Sequence, residues 1–198
     1  MTYSDALKKA TQYLKAQKIE DPSYEAGLLL SWALDKEVSY VYSHAEDSLT
    51  PHQEKAFLSA LERRGQHEPY AYITNQRWFM GLSFYVNPHV LIPRDDTEIL
   101  VETALYALGN NQDFLNQNKY SNMFKLTKKN SYRILDVGTG SGCIAICLAK
   151  SSDQCFVDAI DISTNALEVA KENARRYCVD DRIHFINADF LTHSIDGI

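Results

Sequence analysis

The chain has 198 residues, 45% hydrophobic and 23% charged, which suits one or two soluble globular domains. Its net charge is −6 and no segment is strongly basic, which argues against DNA or RNA as a direct target, because nucleic-acid binders displace counterions with a lysine and arginine footprint. No window approaches 18 uninterrupted apolar residues, and the start Met1-Thr2-Tyr3-Ser4-Asp5 lacks the order of a signal peptide, so a cytoplasmic protein with no membrane partner is expected.

Residues 1–66 read as a helical unit. Tyr3, Leu7, Ala10 and Leu14 recur at helical spacing, Asp21-Pro22 opens a second helix with Leu28, Leu29, Trp32 and Ala33, and Thr50-Pro51-His52-Gln53 opens a third with a capping box and proline at its first position. Three helices of this length make a bundle that is marginal alone. Residues 67–95 change character: Tyr70–Thr74, Trp78-Phe79 and Leu82–Val86 read as short β segments, separated by Asn75-Gln76 and Met80-Gly81, in a hairpin linker. Pro88 and Pro93 bracket Val90-Leu91-Ile92 in extended geometry. Asp95-Asp96-Thr97-Glu98 then supplies caps and first-turn acids for a helix running to Leu108. Gly109 to Asn130 is polar and holds six asparagines, the pattern of a surface loop.

The most informative stretch is Ile134-Leu135-Asp136-Val137-Gly138-Thr139-Gly140-Ser141-Gly142-Cys143-Ile144-Ala145. Its apolar lead-in reads as a buried parallel strand, and Ile144, Cys147 and Leu148 read as the following helix. Glycines at the turn allow positive φ and close ligand approach, and the helix start offers unpaired N–H groups. Spacing selects the ligand. The nicotinamide and flavin fingerprint needs glycine or alanine where Cys143 stands, and a phosphate-binding P-loop needs a Gly-Lys-Ser/Thr ending that is absent. What remains, Asp-x-Gly-x-Gly-x-Gly, resembles the first motif of S-adenosylmethionine-dependent methyltransferases; a glycine-rich turn without any ligand is the plain alternative.

A second strand, Cys155–Ile160, ends on Asp161, 23 residues after Gly138. An acid there can accept both hydroxyls of an adenosine ribose. Its alternative role is to cap the helix that carries Ala166, Leu167, Val169, Ala170 and Ala174; Ser163 is taken as the cap and Asp161 as the ligand. A third strand, Arg182–Ile186, leads to Asp189 and Phe190, placed to accept from the adenine amino group and to stack on its ring. Cofactor contacts are therefore expected at Gly138, Thr139, Gly140, Ser141, Gly142, Asp161, Asp189 and Phe190. The four cysteines, at 143, 147, 155 and 178, have no C-x-x-C spacing, and three lie in apolar runs; reduced core thiols are expected, and no metal.

Three blocks carry a closer likeness: His67–Thr74, Phe84-Tyr85-Val86-Asn87-Pro88 with Val90–Glu98, and Ile134–Ala145. Together they resemble the peptide chain release factor N(5)-glutamine methyltransferases of the HemK type, from the helical unit through Phe190. The resemblance implies an α/β fold in which an N-terminal helical bundle precedes a Rossmann-like class I methyltransferase domain. It divides the chain into a helical substrate-recognition domain at 1–66, a β-hairpin linker at 67–95 and the N-terminal part of a cofactor-binding domain at 96–198, with the first three strands present. It implies S-adenosyl-L-methionine as cofactor, release factors as protein substrate, and methylation of the glutamine amide in their Gly-Gly-Gln motif, in translation termination. Asn75 and Asp95 depart from the family's usual glycine and proline, and both substitutes suit their places. The family's Asn-Pro-Pro-Tyr, which holds the target amide after a fourth strand, has no counterpart up to Ile198; Asn87-Pro88 matches a different family element. No catalytic residue is therefore assigned, and the 198-residue chain is expected to be inactive by itself. A nucleic-acid N(6)-adenine methyltransferase, or a non-catalytic module that binds cofactor or release factor, are the alternatives.

Overall fold

The computed structural model describes residues 1–108 and 131–192, and these fall into two compact units, Met1–Thr74 and Asn75–Ile198. The segment 109–130, read as a surface loop, lies outside the described residues.

The first unit is helical, as the spacing predicts. Helix α1 (Tyr3–Ala16) is capped by the Thr2 hydroxyl, α2 (Pro22–Leu34) starts on its proline, and α4 (Pro51–Gly65) has the full capping box between Thr50 and Gln53. Their apolar stripes meet in one core, with Ala6, Ala10 and Leu14 against Leu29, Leu30 and Phe57. Arg64 of α4 holds Glu25 of α2 through two hydrogen bonds of 3.0 and 3.1 Å. A short helix α3 (Val38–Ser43), which the sequence reading passes over, adds Val41 to this core.

Tyr70–Thr74 is a short helix, α5, and not a β segment. The Pro69 carbonyl accepts the N–H groups of Tyr72 and Ile73, starting the turn. At its far end the Arg63 guanidinium donates to the Tyr72 and Ile73 carbonyls while also binding Glu68. With Ile73 buried in the bundle core, tertiary contacts outweigh the strand preference of two tyrosines and an isoleucine. The hairpin begins only at residue 76, so the N-terminal part of the expected linker belongs to the helical unit.

The second unit opens with β1 (Gln76–Phe79) and β2 (Leu82–Tyr85), antiparallel and joined by Met80-Gly81. Both turn residues have positive φ, +50° and +70°, the geometry of a two-residue hairpin that follows strand twist. Helix α6 (Asp96–Ala107) follows with Asp96 and Glu98 in its first turn, as expected, but without a side-chain cap: Asp95, at the cap position, pairs with Arg77, and Glu98 also accepts the Met80 N–H at 2.6 Å, which ties the helix start to the hairpin.

Strands β3 (Tyr132–Val137), β4 (Cys155–Asp161) and β5 (Ile183–Asn187) form a parallel sheet in the order β3-β4-β5. Helix α7 (Cys143–Ser151) connects the first pair and α8 (Thr164–Arg176) the second. One sheet face, with Ile134, Val157, Ala159 and Ile183, joins α6, α7 and α8 in a common core. On the other face Phe156 and Val137 remain nearly half exposed. Among the described residues no helix is long and apolar enough to cross a membrane.

Candidate cofactor site

The chain leaves β3 at Val137 and enters α7 at Cys143 through the three glycines. Gly138, Gly140 and Gly142 have φ of +75°, +55° and +78°, a region costly for other residues. The first two face open space: a Cβ at Gly138 would meet nothing within 4 Å, and one at Gly140 only the Gly138 carbonyl at 3.9 Å. Gly142 faces the protein, where a Cβ would stand 3.1 Å from both the Ala170 Cβ and the Ile146 Cδ1. The loop thus has an open side at its first two glycines and a packed side at its third, where α7 and α8 approach.

Every turn of the loop is tethered. The N–H groups of Gly138 and Thr139 both donate to the Ile160 carbonyl, at 2.8 and 3.0 Å, and that of Gly142 to the Thr139 carbonyl at 2.8 Å. The Thr139 hydroxyl donates to Asp136 at 2.7 Å. Burial pushes the Asp136 carboxyl above its ordinary value, and the Thr139 hydrogen bond works against that shift. Ser141 is also buried, and the Thr139 N–H, the Thr139 carbonyl and the Ser141 carbonyl are all bonded within the protein.

Asp161 stands at the end of β4 with one carboxylate oxygen accepting the Gly140 N–H and the other the Ser163 N–H, both at 2.9 Å. The cap of α8 is Ser163, whose hydroxyl accepts the Ala166 N–H. Asp161 is not the cap, and each of its oxygens keeps a lone pair for a further donor. The third strand brings Asp189 and Phe190 to the same edge of the sheet, since the Ala188 N–H and the Asn187 amide both donate to the Asp161 carbonyl. Asp189 accepts the Leu191 N–H at 3.0 Å, and Phe190 is 42% exposed. All the expected site residues therefore gather at the carboxyl ends of parallel strands, where open α/β sheets bind ligands.

Two residues went unread. Ile162, directly after Asp161, is 71% exposed at this edge; an apolar residue between a strand-end acid and a helix cap was the available signal. Asn173 is fully buried in α8 and bonded to the loop; the signal was an amide within the stripe Ala166, Ala170 and Ala174. Asn87, by contrast, makes a local turn, its Oδ1 accepting the His89 N–H. Cys143, Cys147 and Cys155 are buried, and burial pushes the first two thiols up to about 11 and about 12, so they stay protonated. A cavity of about 520 Å³ opens at the opposite, amino ends of the strands, lined by Arg133, Phe156, Asp158 and His184 among others, away from the glycine loop.

Two protein families match along the chain: a PrmC N-terminal domain over residues 5–74 and a methyltransferase domain over residues 128–196. A release factor glutamine methyltransferase of Moorella thermoacetica is 38% identical over 96% of this chain and 61% of its own length. One of Chlorobaculum tepidum is 37% identical over 96% of this chain and 60% of its own. A bifunctional methyltransferase of Rickettsia typhi is 38% identical over 96% of this chain and 37% of its own. The chain thus spans about three fifths of the length of the first two and less of the third. The chain thus matches a PrmC N-terminal domain ahead of a methyltransferase domain, and over nearly all of its length it is similar to release factor glutamine methyltransferases and to a bifunctional methyltransferase.

Proposed function

We propose that the second unit binds S-adenosyl-L-methionine and that the protein methylates the glutamine amide of the Gly-Gly-Gln motif in peptide chain release factors, in the cytoplasm and in the service of translation termination. One observation carries the cofactor reading: two positive-φ glycines with open space at their Cβ positions lie beside an acid that is not a helix cap. The carboxylate of Asp161 suits a ribose diol, Gly138 and Gly140 suit close backbone approach, and Asp189 and Phe190 suit the adenine amino group and ring. The cofactor would supply an electrophilic methyl group; these residues would fix where it sits. A glutamine amide nitrogen is a weak nucleophile because its lone pair is delocalised into the carbonyl, so the reaction depends on groups that orient that amide. None of the residues described above takes that role. The names of the relatives support a release factor as substrate, and the helical unit would be the part that recognises it.

Calorimetry with S-adenosylmethionine and with a nicotinamide dinucleotide checks the cofactor. Tighter binding of S-adenosylmethionine is expected, and preference for the dinucleotide would refute the reading. Gly140→Val should abolish binding by filling the open side of the loop. Asp161→Ala is expected to weaken it by about 1.5–3 kcal/mol, the range for a hydrogen bond to a charged group. Unaltered affinity in either variant would place the ligand elsewhere.

A further inference from the structure

Asn173 is fully buried on the apolar stripe of α8. A buried amide is costly unless its donors and acceptor are met, and here backbone from two distant segments meets them. Its Oδ1 accepts the Tyr85 N–H at 2.8 Å, and its Nδ2 donates to the Tyr85 carbonyl and to the Ser141 carbonyl, both at 2.9 Å. One side chain thereby fastens the end of β2 and the glycine loop together.

The Ser141 contact fixes a whole peptide plane. In a trans peptide the C=O and N–H point in opposite directions. The Ser141 carbonyl is drawn to Asn173 and the Gly142 N–H to the Thr139 carbonyl at 2.8 Å, so this plane is held from both sides. Two peptide planes earlier the Gly140 N–H is held by Asp161. Asn173 acts from the packed side of the loop, the side where Gly142 meets Ala170, and leaves the open side at Gly138 and Gly140 to a ligand.

We propose that Asn173 is a positioning residue for the cofactor: it sets the peptide planes of the glycine loop and couples that loop to the hairpin, without touching the ligand. This rests on the reading that the loop binds S-adenosylmethionine.

The test is Asn173→Asp, which keeps the acceptor for the Tyr85 N–H and removes both donors. Binding of S-adenosylhomocysteine is measured by calorimetry against the unmodified chain at each pH, which cancels the effects of Asp136 and Asp161. The other titratable or charged groups around this clamp are Cys143, Tyr177, whose hydroxyl donates to the Ser83 carbonyl, and Arg176, which lies over the Tyr85 ring. Two carbonyls facing a carboxylate should weaken binding about tenfold at about pH 8. Part of that loss should return toward about pH 5.5, as the buried carboxyl takes up a proton and donates one of the missing bonds. Val101→Ala, a core position in α6, should lower the melting temperature without a pH-dependent change in affinity. An Asp variant that binds like the unmodified chain, or a loss reproduced by Val101→Ala at a matched melting temperature, overturns the proposal. Should the Asp variant not fold, amide exchange on the unmodified chain decides. The ligand is expected to slow the Tyr85 amide more than the amides of β1, and equal slowing overturns the coupling. No binding by the unmodified chain would refute the cofactor reading beneath it.

Discussion

Gly138 and Gly142 share a positive φ and differ in what surrounds them, so the same substitution should read differently at each. Alanine at 138 meets only the conformational penalty of positive φ, about 1–2 kcal/mol. Alanine at 142 adds contacts of 3.1 Å with Ala170 and Ile146, for a total of about 2–4 kcal/mol. Denaturant midpoints should therefore fall further for Gly142→Ala. Similar losses at both would mean that the close approach of α7 and α8 is relieved by small shifts. The three glycines were legible in sequence as one motif. Their division into two open positions and one packed position was not, because it depends on Ala170, a residue 28 positions further along the chain.

At the scale of elements, what the sequence disclosed were features decided locally. The Thr50 capping box, the Met80-Gly81 turn and the three parallel strands each follow from a few neighbouring residues, and each stands where the pattern places it. Tyr70–Thr74 did not, because its helical state depends on Arg63 reaching across from α4. Asp95 likewise reads as a helix cap in sequence, yet Arg77 of the hairpin takes its carboxylate, and the first-turn Glu98 also holds the Met80 N–H. The sheet shows the same dependence in its charges. Asp158 in β4 is buried, yet Arg133 of β3 and His184 of β5 both reach it, Arg133 by two hydrogen bonds and His184 at 3.1 Å. The Arg133 hydrogen bond holds its carboxyl below the ordinary value. A depressed folded value means stability that is present above the unfolded carboxylate value, about 3.9, and lost as pH falls through the lower folded one. Asp136 works the other way: burial raises its carboxyl, so its ionisation opposes folding as pH rises above the ordinary value. Acid titration followed by circular dichroism should show Asp158→Asn less stable than the unmodified protein at neutral pH, with a flatter decline below about pH 4. An unchanged acid profile would show that these three strands do not share a charge network.

Across the whole molecule the division at Thr74 separates two cores with different dependence on sequence distance. The helical unit is built from neighbouring helices, and its ion pair Arg64–Glu25 and its α5 contacts all close within residues 1–74. Local contacts favour fast folding, while the small core leaves only a marginal stability. Met1–Thr74 expressed alone is expected to give a helical spectrum and a cooperative melt, at a lower temperature than the longer chain. A non-cooperative melt would mean that this unit needs the second one to fold.

The clamp on Tyr85 has a consequence in time. Asn173 lies 88 residues after its partner in the chain. At ribosomal speeds of about 5–20 residues per second, the hairpin therefore emerges on the order of ten seconds before the side chain that fastens it exists. Through that interval Phe79 and Phe84, both buried in the finished fold, have no α8 to cover them. The helical unit, complete by residue 74, has no such wait. Synthesis thus delivers every residue of the first unit's core while the apolar hairpin behind it is still without its anchor.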